Sequence, residues 1–568
     1  MPVRLAAFVA MVAAGLVLLS GRIASGDDAG DAGSTATVSA RPTVVSRAAD
    51  GGNDSRDASA PAVSSAASGD TDAGIDRDAS TVDAGTHDRP AYDQPLEVRS
   101  TPMQIARVVL GLFALVALAI LAGHPRVADF ERRSGLSMFA STGIPFLALG
   151  ALARLPQIGI LRDDVVRDLR PLLEFGLGWI GFRVGSEFDV RELDRLPQGA
   201  GRLLGMQSAT AFIAASAGSM GALWLVGRSL GSNIIRDGLI LGACAAVSAP
   251  SGARALEAAG VVTSEGSKMI RKIVLLDDVV PIAVLALVTA IFRPLDAATW
   301  RLPALGWVFV QIGMGAALGA LTVAMIRAAK NVNEEVALTL GAIAFAAGMA
   351  SYLGFSPLAV GCVAGLVVVN LSTGVENAEF GAKLRDLERP IFMVFFAVAG
   401  SLWDIRDWRG WAVIPLFVLA RLFGKLGGAR AAFLADRNAI AEAARQGKSE
   451  SDADTSQRVA RASFIPHTGL LDPRSLGIAL IPASAVSIAV VISARHSYPD
   501  SIPAWLETIV IVGAIVSEVL FQFVVPTTRR GPGDSGPGIS MPPLDAPADS
   551  SDRPAPPAVP GLSEDPPT

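Results

Sequence analysis

The chain has 568 residues, of which 51% are apolar and only 18% charged, with a net charge of −5 and a mean hydropathy of +0.45. An ordinary soluble domain carries about 25% charged residues, so this composition excludes a soluble globule and implies an integral membrane protein. No basic, aromatic-laced stretch suggests nucleic acid. Two cysteines, Cys244 and Cys362, both inside apolar runs, rule out a disulfide framework or a zinc pattern and read as inert packing residues.

Residues 1–26 have the layout of a secretory signal: Arg4, an apolar core from Leu5 to Ser20, and small residues Ala24-Ser25-Gly26 at the cleavage position. An uncleaved signal anchor is the alternative. Residues 27–98, rich in Asp, Ser, Ala, Thr and Gly, lack the apolar clusters needed to offset ordering entropy and are expected to be a disordered extracytoplasmic tail. The membrane domain is expected over 99–528, followed by a Pro-rich disordered cytoplasmic tail over 529–568.

Apolar runs long enough to cross a core of about 30 Å predict thirteen transmembrane helices. They fall near 101–123, 134–152, 168–187, 204–226, 234–256, 267–292, 302–327, 335–352, 355–372, 388–404, 410–435, 473–496 and 503–526, with a long polar, basic loop over 436–472. With the N-terminus outside, the loops left inside hold about twice as many Lys and Arg as those on the other face. The loop over 153–170, with Arg154, Arg162, Arg167 and Arg170, is the main exception. The expected location is the inner cell membrane, N-terminus out and C-terminus in.

The third and tenth spans end alike, in Gly185-Ser-Glu-Phe-Asp-Val-Arg191 and Gly400-Ser-Leu-Trp-Asp-Ile-Arg406. Copies seven spans apart face opposite ways across a membrane, the mark of an inverted-topology repeat. At the same offset, the fifth and twelfth spans each carry a proline among small residues: Pro250-Ser251-Gly252, and Pro482 with Ser484. Proline deletes a helical hydrogen bond, and irregular backbone survives in a membrane only where it is buried or lines a cavity. Together these predict an all-α architecture of six spans, one linking span and six inverted spans, with two crossed discontinuous helices.

Charges inside spans are costly and usually functional. Asp277 and Asp278 sit adjacent in the middle of the sixth span, within Ile273-Val-Leu-Leu-Asp-Asp-Val-Val-Pro281. Neighbouring helical residues diverge by about 100°, so one carboxylate can hold an ion while the other meets a counter-charge. Carboxylates away from water suit a hard cation seeking oxygen ligands. Protons compete for the same oxygens, and the pair titrates as a coupled unit. The eleventh span supplies two candidate counter-charges, Arg421 and Lys425, four residues apart on one face beside Gly424, Gly427 and Gly428. Arg183 and Glu187, also four apart, read as a structural ion pair, while Glu507 and Glu518 in the last span have no assigned role.

The stretch Ala245-Ala-Val-Ser248-Ala-Pro250-Ser-Gly-Ala-Arg254, continuing through Thr263-Ser-Glu265-Gly266 to Leu276-Asp277-Asp278-Val279, resembles the cation/proton antiporter superfamily, its Nap, Nha and Kef branch, over about 100–528. Phe395-Phe396-Ala-Val-Ala-Gly400 and Gly477-Ile-Ala-Leu-Ile-Pro482 fit two further segments of that superfamily. The resemblance implies a homodimeric exchanger of Na+ or Li+ for protons, working by an elevator movement of a core domain against a dimerisation domain. It implies Asp278 as the ion and proton carrier, with Asp277 and the broken-helix Ser248 at the ion site, and Asp277 partnered by Lys425 in competition with Arg421. Two aspartates resemble the electrogenic members, which move two protons per sodium. The sequence departs from the pattern at Val247, where a threonine is common, and carries no GxGxxG after residue 528, so no nucleotide or other cofactor is expected. A potassium/proton exchanger, an organic-anion symporter with similar crossed helices and a non-transporting sensor are the competing readings.

Overall fold

A computed structural model of the chain describes residues 143–525, apart from 156–160, 162, 194–195, 228–231, 294–301, 373–377, 447–457, 460–461, 466–471 and 500, together with a few helical positions between 106 and 117. The expected signal, both tails and most of the first span lie outside the described residues. All regular elements within them are helical. In chain order they are α1 Ile144–Ala153, α2 Asp163–Asp168, α3 Arg170–Ser186, α4 Val190–Leu193, α5 Gln198–Leu225, α6 Ser232–Ala246, α7 Ser251–Ala258, α8 Ser264–Asp277 and α9 Val279–Ile291. There follow α10 Ala304–Ala328, α11 Val332–Tyr352, α12 Pro357–Leu371, α13 Ala378–Leu402, α14 Trp408–Gln446, α15 Pro473–Ala479, α16 Ala485–Ser497 and α17 Trp505–Val524.

Among the described residues, seven helical stretches are long and apolar enough to cross a membrane, and α1, α12 and α16 are shorter apolar helices. The chain is therefore a multi-pass membrane protein. Phe309, Leu321, Phe345, Trp408, Phe423 and Phe523 are exposed on its outer surface, as expected for side chains that meet lipid rather than water.

Two boundaries differ from expectation by about ten residues, and α5 also starts at Gln198 rather than near 204. Helix α14 continues past 435 to Gln446, because Ala, Glu and Arg dominate that stretch and its Asp436 is buried and bonded rather than solvated. Helix α13 starts at Ala378 instead of near 388, adding polar turns that contain Lys383, Arg385 and Glu388.

The repeat appears in the packing. Helix α3 lies along α12, and α13 lies along α1. A side chain at Gly185 would strike the Cys362 carbonyl, and one at Gly400 would strike that of Leu147. Likewise Gly365 abuts the Phe182 carbonyl and Gly150 that of Ala397. Every residue of one contact maps onto the other by a step of 215 (Gly185 to Gly400, Phe182 to Ala397, Leu147 to Cys362, Gly150 to Gly365). Such reciprocity is what a pseudo-twofold axis between two copies requires, and glycine at each crossing lets the backbones touch.

Helices α5 and α14 pack on each other at the centre, where Gly424 faces Ala211 and Gly428 faces Gln207. This pair supports the two interrupted spans, α6–α7 and α15–α16, on which the site is built.

Candidate functional site: a crossing of two broken helices beside Asp277 and Asp278

Pro250 has no N–H for the Ala246 carbonyl, so α6 ends there and α7 restarts at Ser251. In the second copy α15 ends at Ala479, and the chain passes Pro482 before α16 starts at Ala485, capped by the Ser484 hydroxyl. The unwound segments run against each other. Ala249 N–H donates to the Pro482 carbonyl at 2.8 Å, and the Ser248 hydroxyl donates to the Leu480 carbonyl at 3.1 Å. Gly252 lies so close to the Ala479 carbonyl that no side chain fits.

The carbonyls freed at the ends of α6 and α15 need donors, because a buried unpaired carbonyl costs about as much as a lost hydrogen bond. Arg421 supplies most of them. Its guanidinium donates to Ala245 O at 2.5 Å, Val247 O at 2.6 Å, Pro482 O at 3.2 Å, Ile481 O at 3.3 Å and Cys244 O at 3.4 Å. One turn along α14, Lys425 is fully buried. Its ammonium donates to the Ala246 carbonyl, the one that Pro250 releases, to Gln207 Oε1 at 2.5 Å, and to Asp277 Oδ2 at 3.2 Å. Asp277 also accepts from the Ser208 hydroxyl through Oδ1, so both of its oxygens are occupied.

Pro281 treats the aspartate helix in the same way. It withholds a donor from the Asp277 carbonyl, and α8 gives way to α9 at Asp278. Asp278 is only 5% exposed. It lines a cavity of about 540 Å³ together with Ser251, Ser484, Arg183, Glu187 and Glu388. Its Oδ1 and the Ser251 hydroxyl have no hydrogen-bond partner among the described residues. The adjacent carboxylates thus face different surroundings. Asp277 turns inward to Lys425, and Asp278 turns to the cavity with an oxygen available.

A model of the family "Sodium/hydrogen exchanger, transmembrane" matches residues 130–528. This chain belongs to that family. The family is one of transporters, with monovalent cations and protons as its cargo. Two solved structures, both of the sodium proton antiporter MjNhaP1 from Methanocaldococcus jannaschii, are similar to it. The first is 15% identical with a TM-score of 0.46, covering 74% of this chain and 98% of the other. The second is 16% identical with a TM-score of 0.44, covering 73% and 95%. No curated protein matches the sequence.

Within this exchanger, the two basic candidates on α14 separate cleanly: Lys425 meets Asp277, and Arg421 meets backbone. Ser248, expected at the ion site, donates across the crossing to the Leu480 carbonyl, and the serines that line the cavity are Ser251 and Ser484. Pro250 also lines the cavity, whereas Pro482 serves the crossing through its carbonyl. Arg183 lies 2.8 Å from Glu187 and 3.1 Å from Glu388, so the pair is a triad that reaches across to α13. Gln207 and Ser208 escaped the sequence reading. They are uncharged, and only their position as polar residues inside an apolar span marks them.

Proposed function

We propose that the chain exchanges Na+, and also Li+, for protons by alternating access, with Asp278 as the group that carries either cargo. The observation that carries this reading is the unpartnered Asp278 oxygen facing the cavity beside two unwound, mutually crossed segments. Backbone carbonyls and hydroxyls at such a crossing supply oxygen ligands that a single carboxylate lacks. Asp278 loses its proton to the cavity, the cation takes the vacated oxygens, and the reverse occurs on the other side.

The Asp277–Lys425 contact gives a second proton-linked step. When a cation neutralises Asp278, the balance of charge around Lys425 changes, and a proton leaves or returns there. Two protons per sodium make the exchange electrogenic. Reciprocal packing of two copies suits an elevator movement in which the α5–α9 and α14–α17 group slides against the rest. The working form is a homodimer in the inner membrane, N-terminus out, with the cavity open to the cytoplasm.

The test is reconstitution of the purified protein into liposomes containing a pH dye. Wild type is expected to move protons when Na+ or Li+ is added, with a rate that depends on voltage, and Asp278→Asn to move none. Unchanged exchange in Asp278→Asn refutes the mechanism.

A further inference from the structure

The cavity in front of Asp278 has an unexpected charge for a passage that admits cations. Four arginines line it, Arg183, Arg254, Arg385 and Arg389, against three carboxylates, Glu187, Glu388 and Asp278. Arg183 is committed to Glu187 and Glu388 by short ion pairs. Arg254 and Arg385 are exposed and have no ion-pair partner among the described residues. They sit on different elements, Arg254 one turn beyond Ser251 on α7 and Arg385 one turn before Arg389 on α13. The rest of the wall includes Ile180, Phe392 and Phe396, and apolar walls focus the field of the charges between them.

We propose that Arg254 and Arg385 form an electrostatic barrier that sorts cations by valence before they reach Asp278. This rests on the exchange reading above. The need arises from Coulomb attraction, which at equal distance is twice as strong between Asp278 and a divalent ion as for a monovalent one. Left to itself, the carboxylate favours the wrong class of ion. A positive potential on the approach acts with the opposite sign and the same scaling. A potential of one thermal unit thins a monovalent ion about threefold and a divalent ion about sevenfold. The depletion of the divalent ion is the square of the monovalent one, and this relation separates field from fit.

The experiment measures half-saturating Na+ and half-inhibitory Mg2+ for exchange in liposomes, using wild type, Arg254→Gln, Arg385→Gln, the double variant, and the double lysine variant as the charge-retaining control. The double Gln variant is expected to need about threefold less Na+ and about sevenfold to tenfold less Mg2+, while the lysine pair stays at wild-type values. Choline chloride near 1 M, where the screening length falls to about 3 Å, should erase the difference. It should also sensitise wild type to Mg2+, a readout that survives if the double variant fails to fold. Equal shifts for Na+ and Mg2+, no shift, or a lysine pair that behaves like glutamine overturns the proposal. Absence of exchange in wild type refutes the transport reading instead.

Discussion

Arg421 is the side chain whose removal the geometry forecasts best. Replacing it with methionine keeps the volume of the stem and deletes donors to five carbonyls, three of them within 3.2 Å. A hydrogen bond from a charged donor contributes about 1.5–3 kcal/mol, and a buried carbonyl left unpaired costs about 1–3 kcal/mol. These terms overlap, so a sum overstates the loss. Breaking a buried charged network by removing one member costs about 3–5 kcal/mol, and that is the expected destabilisation of Arg421→Met. The unwound segments have few substitutes, because their other cross-contacts are single bonds from Ala249 and Ser248. The melting temperature of the detergent-solubilised protein, followed by tryptophan fluorescence, should fall by about 4–6 °C, because a folded domain of this size unfolds with a large entropy. Arg421→Lys should recover little, because an ammonium is a point donor that cannot span carbonyls on two unwound segments. A methionine variant that melts within a degree or two of wild type would show that water or backbone adjustment satisfies those carbonyls.

Lys425→Ala strands the buried Asp277 carboxylate and should destabilise by about 3–5 kcal/mol; adding Asp277→Asn should restore most of it in the same melting assay. Gly185→Val and Gly400→Val should lower stability by similar amounts, about 1–3 kcal/mol or more, since each drives a side chain into the carbonyl of its repeat-related partner helix. Gly341→Ala, which meets nothing within 4 Å, should be neutral or stabilise by about 0.5–1 kcal/mol. Asp436→Ala should release the segment around Ser463, because the carboxylate accepts from Ser463, from Phe464 N–H at 3.0 Å and from Ile465 N–H at 3.2 Å, and pairs with Arg202 at 2.7 Å. Limited proteolysis should then cut between 447 and 471 faster than in wild type; equal rates would count against the anchoring role.

Much of this protein is legible along the chain because a bilayer leaves few options. Backbone in lipid must bond to itself, so apolar runs mark helices, and the prolines at 250, 281 and 482 mark where the ladder fails. The Gly185 and Gly400 motifs expose the repeat because glycine is needed wherever two backbones touch. The adjacent Asp277 and Asp278 stand out because two carboxylates in an apolar span are too costly to be incidental.

Which charge meets which follows from how the helices pack against one another. Arg421 and Lys425 share a face and differ by one helical turn, about 5.4 Å. The depth at which α14 crosses α5 sets one against carbonyls and the other against Asp277. The same holds for Gln207 and Ser208, whose role comes from the distant α8 and α14. It holds for Glu388, which joins Arg183 from 205 residues away. Periodicity reports the direction in which a side chain leaves its own helix. It carries no information on the axial register between helices, which close packing at Gly424 and Gly428 sets to within a turn.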